Sequence, residues 1–225
     1  MYKTKFNRFV NWIIVLLMLS GCSGRFITSN QEEVIDRGLM IDDICAPPCW
    51  HGMEINKSAK EEVIFLLSKQ SFIKPQSLKE HETYWTDSTT ATTIQYECIT
   101  SRSSPCGILT FHNGLLVKNW AAVNYDLTLD SVIQHLGEPD YLMYFWPNPS
   151  GICEISVIWI EKGISVSFND RGKHNECKKT IDGNKLSPDI LIESVLYISQ
   201  GELEDSINTL DGCCAIIKWA GFEND

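Results

Sequence analysis

The stretch Leu127-Thr128-Leu129-Asp130-Ser131-Val132-Ile133-Gln134-His135-Leu136-Gly137-Glu138-Pro139 decides how this chain folds. Leu129, Val132, Ile133 and Leu136 recur at the spacing that lines one face of a helix. Thr128 stands where a side-chain oxygen can take up the first free N–H groups. Gly137 follows the last turn, where a residue with positive φ closes a helix, and Pro139 forbids continuation. Strand-like runs come next, at 141–145 and 155–160, then a Lys162-Gly163 turn and a run at 164–168. A helix ahead of an antiparallel hairpin reads as an α+β unit with the helix laid on the sheet.

The same order of elements occurs upstream. Ser58-Ala59-Lys60-Glu61 reads as a capping box, the serine oxygen accepting and Glu61 reaching back. Ala59, Val63, Leu66 and Leu67 supply an apolar face, and the helix is expected to run to about Lys69. Strand runs follow at 83–85 and 92–99, with a hairpin about Asn113-Gly114, a pair suited to the positive φ angles of a tight turn. Setting Gly114 on Gly163 aligns Leu109 with Ile158, Phe111 with Ile160, Leu115 with Ile164 and Val117 with Val166. The first copy then carries an insertion of about 21 residues at 86–106. The expected fold class is α+β: two helix-on-antiparallel-sheet units, a tandem duplication, at 45–123 and 124–225, stapled by disulfides. A strand at 191–199, a short helix at 203–210 and a last strand at 214–219 extend the second unit.

Lys3, Lys5 and Arg8 precede an apolar run at 9–19. That run is well short of the roughly 20 residues a membrane span needs, and fits a secretory leader. It ends in Leu19-Ser20-Gly21-Cys22, which resembles the bacterial lipobox. The resemblance implies a signal peptide at 1–21, a diacylglycerol on the Cys22 thiol, an acyl chain such as palmitate on the new amino terminus, and a lipidated tether at 22–44. The 225 residues carry 29 acids and 19 bases, a formal charge of −10. Without the leader, 16 bases face 29 acids, −13. Such a balance argues against nucleic acid and leaves no polybasic patch to help hold a membrane. A hydrophobic share of 44% excludes wholesale disorder.

Nine cysteines is an odd number, and lipidation of Cys22 leaves eight: Cys45, Cys49, Cys98, Cys106, Cys153, Cys177, Cys213 and Cys214. In an exported chain these are disulfide candidates. Cys98 and Cys106 bracket a loop, and Cys153 and Cys177 flank a hairpin, so 98–106 and 153–177 are favoured. Cys45 with Cys49, and Cys213 with Cys214 or swapped among nearer partners, remain open. Cys45-x₃-Cys49 with His51 is the nearest approach to zinc spacing, but no second pair completes it, so no metal or other cofactor is expected. No G-x-S-x-G, H-E-x-x-H or phosphate loop occurs, and the five histidines are scattered. Trp50 and Trp159 read as core. Tyr141, Tyr144, Phe145 and Trp146 form an aromatic run of which one alternate set faces inward and the other is a candidate interface.

The 127–139 segment resembles the helix motif of the SmpA/OmlA family of small bacterial lipoproteins, and Leu109-x-Phe-x-x-Gly-x-Leu-Val117 is similar to that family's later hairpin. Tandem copies of such a unit are known in the β-lactamase-inhibitor protein. Cys45-Ala-Pro-Pro-Cys-Trp-His-Gly52 resembles bacterial lipoproteins carrying Pro-Cys-Trp-x-Gly. These resemblances span about half the mature chain and imply a helix-on-antiparallel-sheet fold and binding without catalysis. The expected protein is lipid-anchored at the outer face of the cell membrane or at the outer membrane, binding a protein or envelope component. The alternatives are an inhibitor-like module on a secreted enzyme, or a disulfide- or metal-dependent enzyme.

Overall fold

Two four-stranded antiparallel meanders, each introduced by a helix, are joined edge to edge into one sheet. The computed structural model describes residues 38–40, 45–84, 90–100, 103–145, 153–170, 186–209 and 214–222. A small ladder, β1 (Cys49–Trp50) with β2 (Met53–Glu54), leads into helix α1 (Lys60–Ser68). Then come β3 (Lys79–Tyr84), β4 (Thr90–Tyr96), β5 (Gly107–His112) and β6 (Leu115–Ala122). Helix α2 (Leu129–Leu136) opens the second half, followed by β7 (Tyr141–Phe145), β8 (Cys153–Trp159), β9 (Ile164–Asp170) and β10 (Ser194–Ile198). Helix α3 (Gln200–Thr209) and β11 (Cys214–Lys218) complete the order. The nine-stranded sheet runs β11-β7-β8-β9-β10-β6-β5-β4-β3. The halves meet where β10 pairs antiparallel with β6, Trp120 opposite Leu196 at the centre.

Each helix enters in the same way. Before α1, Ala59 bridges Leu115, the Lys60 N–H donates to Gly114 O, and the Leu116 N–H donates to Ser58 O. Before α2, Thr128 bridges Leu191, the Leu129 N–H donates to Ile190 O, and the Ile192 N–H donates to Leu127 O. Leu191 therefore takes the place of Leu115, and β10 the place of β6. The sequence superposition of Gly114 on Gly163 instead sets β9 against β6. The Gly163 turn joins the second and third strands of its meander, where the first half has the cysteine-bearing loop.

Helix α2 matches its sequence pattern: Leu129, Val132, Ile133 and Leu136 are buried, Thr128 Oγ1 accepts from the Ser131 N–H at 3.2 Å, and Gly137 closes the helix at φ 82°. At α1 the capping box is not formed. The cap is Ala59, without a side-chain bond, because its own strand-like pairing with Leu115 starts the helix one residue later. Ser58 is buried instead, its Oγ accepting from the Glu54 N–H. The hairpin at Asn113 (φ 51°) and Gly114 (φ 79°) is as expected.

One apolar core underlies both halves. Val63 and Leu67 of α1, and the α2 stripe, pack with Leu109, Phe111, Leu142, Tyr144, Val157, Val166, Val195 and Tyr197 on a single face of the sheet. Residues of both helices share this core, so both lie on one side of the sheet. Trp50 and Trp159 are buried, Trp50 stacked on Tyr96 at 5.9 Å, a contact of about 1 kcal/mol beyond its area. Leu39, in the region assigned to the tether, is also buried in this core. A smaller core on the opposite face, Met143, Ile158, Ile198 and Leu203, lies beneath α3.

Cys45 is bridged to Cys49 and Cys98 to Cys106, with Cα separations of 5.8 and 5.5 Å. Such bridges persist in oxidising, extracytoplasmic surroundings. Cys153 is also disulfide-bonded. Its expected partner Cys177 lies outside the described residues, as do Cys213, Cys22 and the leader, and of Cys214 only the main chain is described. No helix among the described residues is long and apolar enough to cross a membrane.

Candidate functional site

The face of the sheet opposite α1 and α2 is shaped by a bulge. Phe111 pairs with Leu116, but Thr110 pairs with Lys118, so Val117 is an extra residue in β6. An extra residue inverts the inward–outward alternation beyond it. Asn119 and Ala121 consequently join Leu116 on the core side, and Trp120 is turned outward beside Ile108 and Leu196. Neither Trp120 nor Ile108 belongs to either apolar core.

Trp120 forms part of the wall of a pocket of about 570 Å³ at one end of the β6–β10 seam. The outward residues of neighbouring strands supply its floor: Ser194 opposite Ala122, Ser167 opposite Ser194, and Asn169 opposite Glu154. The connection from β6 to α2 adds Asn124, Tyr125 and Asp126, and Glu193 enters just before β10. Glu193 is fixed by its main chain, whose N–H donates to Ser167 O at 2.9 Å and whose carbonyl accepts from the Val123 N–H at 2.8 Å. Its carboxylate accepts from Asn169 Nδ2.

The pocket is acidic. Asp126, Glu154 and Glu193 line it, with no Lys, Arg or His among its described lining. Partial burial of the Glu154 carboxyl, and then the charge of Glu193, raise Glu154 above its ordinary range. Asn124 is nine-tenths buried; its Nδ2 donates to Thr100 Oγ1 at 3.4 Å, while Oδ1 has no partner among the described residues. Hydrogen-bonding groups, three carboxyls and the Trp120 side chain are among the described lining.

None of these residues was singled out from sequence. Parity counted from Leu116 would send Trp120 into the core, and only the bulge reverses it. The aromatic run divides as alternation requires. Leu142 and Tyr144 face the main core, where Tyr144 is fully buried and its hydroxyl is pushed up to about 12 by burial. Tyr141 and Phe145 pack against the smaller core, and Trp146 lies outside the described residues. Tyr144 thus presents no surface to a partner. His51 packs against Trp50 and Phe72, and no cluster of metal-binding side chains occurs among the described residues. No family model, curated protein or solved structure matches this chain.

Proposed function

We propose a lipid-anchored, non-catalytic binding protein of the bacterial cell envelope that engages its partner through the outward face of the β6–β10 seam. The observation that carries this reading is Trp120, a large aromatic side chain turned away from both apolar cores and set in the wall of a pocket. The anchor rests on Leu19-Ser20-Gly21-Cys22, and export is supported by the two disulfides. Kinship with the SmpA/OmlA-like lipoproteins, through a tandem duplication, is part of the same proposal. It is supported by the recurrence of helix and four-strand meander, and of the Ala59–Leu115 bridge as Thr128–Leu191. The inhibitor-like reading draws on the same face, with Ile108 beside Trp120.

Intact-mass measurement of the wild type and Cys22→Ala tests the anchor: a lipid-sized mass lost in the variant is expected, and equal masses overturn it. Crosslinking in the native envelope, with a photoreactive residue at Ile108, tests the binding reading. A discrete crosslinked partner is expected, and turnover of a substrate by the purified chain would replace binding with catalysis.

A further inference from the structure

The nine-stranded sheet ends in two unlike edges, β3 and β11. We propose that β11 pairs with the β11 strand of a second copy of this chain, the two running antiparallel, so that two sheets become one. The proposal uses the far end of the sheet and is independent of the seam face argued above. Within the chain β11 pairs only with β7, and the Trp219 N–H donates to Asp140 O at 3.1 Å. Bonded and non-bonded pairs alternate along an antiparallel ladder, so Trp219, Ile217 and Ala215 turn their N–H and C=O groups toward β7. Ile216 and Lys218 turn theirs outward, and none of the described residues bonds to them. A row of strand donors and acceptors is matched by another strand. Charge ordinarily guards such an edge, and β3 carries Lys79, Glu80 and Glu82. β11 reads Cys-Ala-Ile-Ile-Lys, with a single charge at its end. Ala215 and Ile217 pack against the main core and Ile216 against the smaller one, all three partly buried. A strand laid alongside therefore covers apolar surface on both faces of the sheet. Its occupant needs an open edge and apolar side chains on both faces, and β11 itself has both. Charge sets the direction: a parallel pair places Lys218 beside Lys218, whereas an antiparallel pair parts them by the length of the strand. The β6–β10 junction is the same kind of antiparallel joint, made inside one chain.

Sedimentation equilibrium of the full chain in density-matched detergent, over a wide range of concentration, tests the proposal. A concentration-dependent dimer is expected. Lys218→Pro removes an outward N–H where the side chain is exposed, and proline is tolerated on the open side of an edge strand. It should weaken the dimer roughly tenfold or more, because both copies lose the donor. Lys218→Ala keeps the N–H and should leave the dimer at least as tight. A monomer at every concentration overturns the proposal. A dimer that Lys218→Pro leaves intact also overturns it, by placing the interface elsewhere. So does equal weakening by Lys218→Ala, which traces association to the ammonium group and not to the strand edge. Should Lys218→Pro fail to fold, amide exchange of the wild type decides. Ile216 and Lys218 amides that exchange slowly in concentrated solution and quickly on dilution support the pairing, and exchange independent of concentration overturns it.

Discussion

Trp120 faces Leu196 directly across the junction of the two halves. With Leu191 standing in the place of Leu115, counting along the strands puts Leu196 in the place of Trp120. The central pair would then join a residue to its own counterpart under the duplication proposed above. Ile192, Val195 and Tyr197 belong to the main core. Only one of the two central positions carries a tryptophan, so the pocket is not repeated across the seam.

The counterpart of Asn119 is Val195, a core residue. Asn119 is fully buried, and neither atom of its amide has a partner among the described residues. A buried amide that makes no hydrogen bond costs about 1–3 kcal/mol. Asn119→Val should raise the urea midpoint by the equivalent of about 1 kcal/mol; a drop of that size would mean that the amide is paired.

The two helix entries differ in one hydroxyl group. Thr128 caps α2 with its hydroxyl, whereas Ala59 has none to offer. Thr128→Ala should cost about 1 kcal/mol, and Ala59→Ser should recover roughly half that at α1. Equilibrium denaturation of both variants checks the asymmetry, and a destabilised Ala59→Ser would contradict it.

Gly163 and Gly114 both have positive φ, but their surroundings differ. A Cβ on Gly163 would lie 2.1 Å from the Ile198 carbonyl oxygen, and one on Gly114 would meet nothing within 4 Å. Gly114→Ala should cost about 1 kcal/mol from conformation alone. Gly163→Ala should cost more than about 2 kcal/mol, because β10 must also move. Thermal melts with comparable losses would refute the distinction.

Local patterns were legible in the sequence wherever a signal and its partner lie on one element. The α2 stripe, its Thr128 cap, the Asn113-Gly114 turn and the Cys98–Cys106 loop are of that kind. What was hidden depends on contacts between distant segments. Ser58 loses its capping role to a pairing of Ala59 with Leu115, and no local pattern announces the bulge at Val117 that exchanges Asn119 for Trp120. Glycine turns look alike in sequence, and the Thr128–Leu191 bridge, which parallels Ala59–Leu115, is likewise a contact between distant segments.

Tyr144 carries its hydroxyl into the core, and that hydroxyl has no hydrogen-bond partner among the described residues. Burial holds its ionisation at about 12, against an ordinary 10.0. The unfolded chain ionises first, so stability contributed by this group is intact below pH 10 and falls as pH rises toward 12. Tyr144→Phe should be neutral or slightly stabilising at pH 7, and should resist alkali better, by on the order of 1 kcal/mol at pH 11. Parallel losses in the two proteins between pH 9 and about 11 would place the alkaline sensitivity elsewhere.

Glu154 is shifted in the same direction, but in the carboxylate range of the pH axis. Its carboxyl ionises less readily in the folded chain than in the unfolded one, through partial burial and the charge of Glu193. Ionisation therefore works against folding at neutral pH, and this penalty disappears as pH falls below the ordinary carboxylate range. Part of the side chain remains in water, so the effect is well under about 1 kcal/mol. Glu154→Gln should be slightly more stable than wild type at pH 7 and indistinguishable from it near pH 3. A melt series across pH reads the effect, and a Glu154→Gln variant less stable at pH 7 would show that the carboxylate supports the fold.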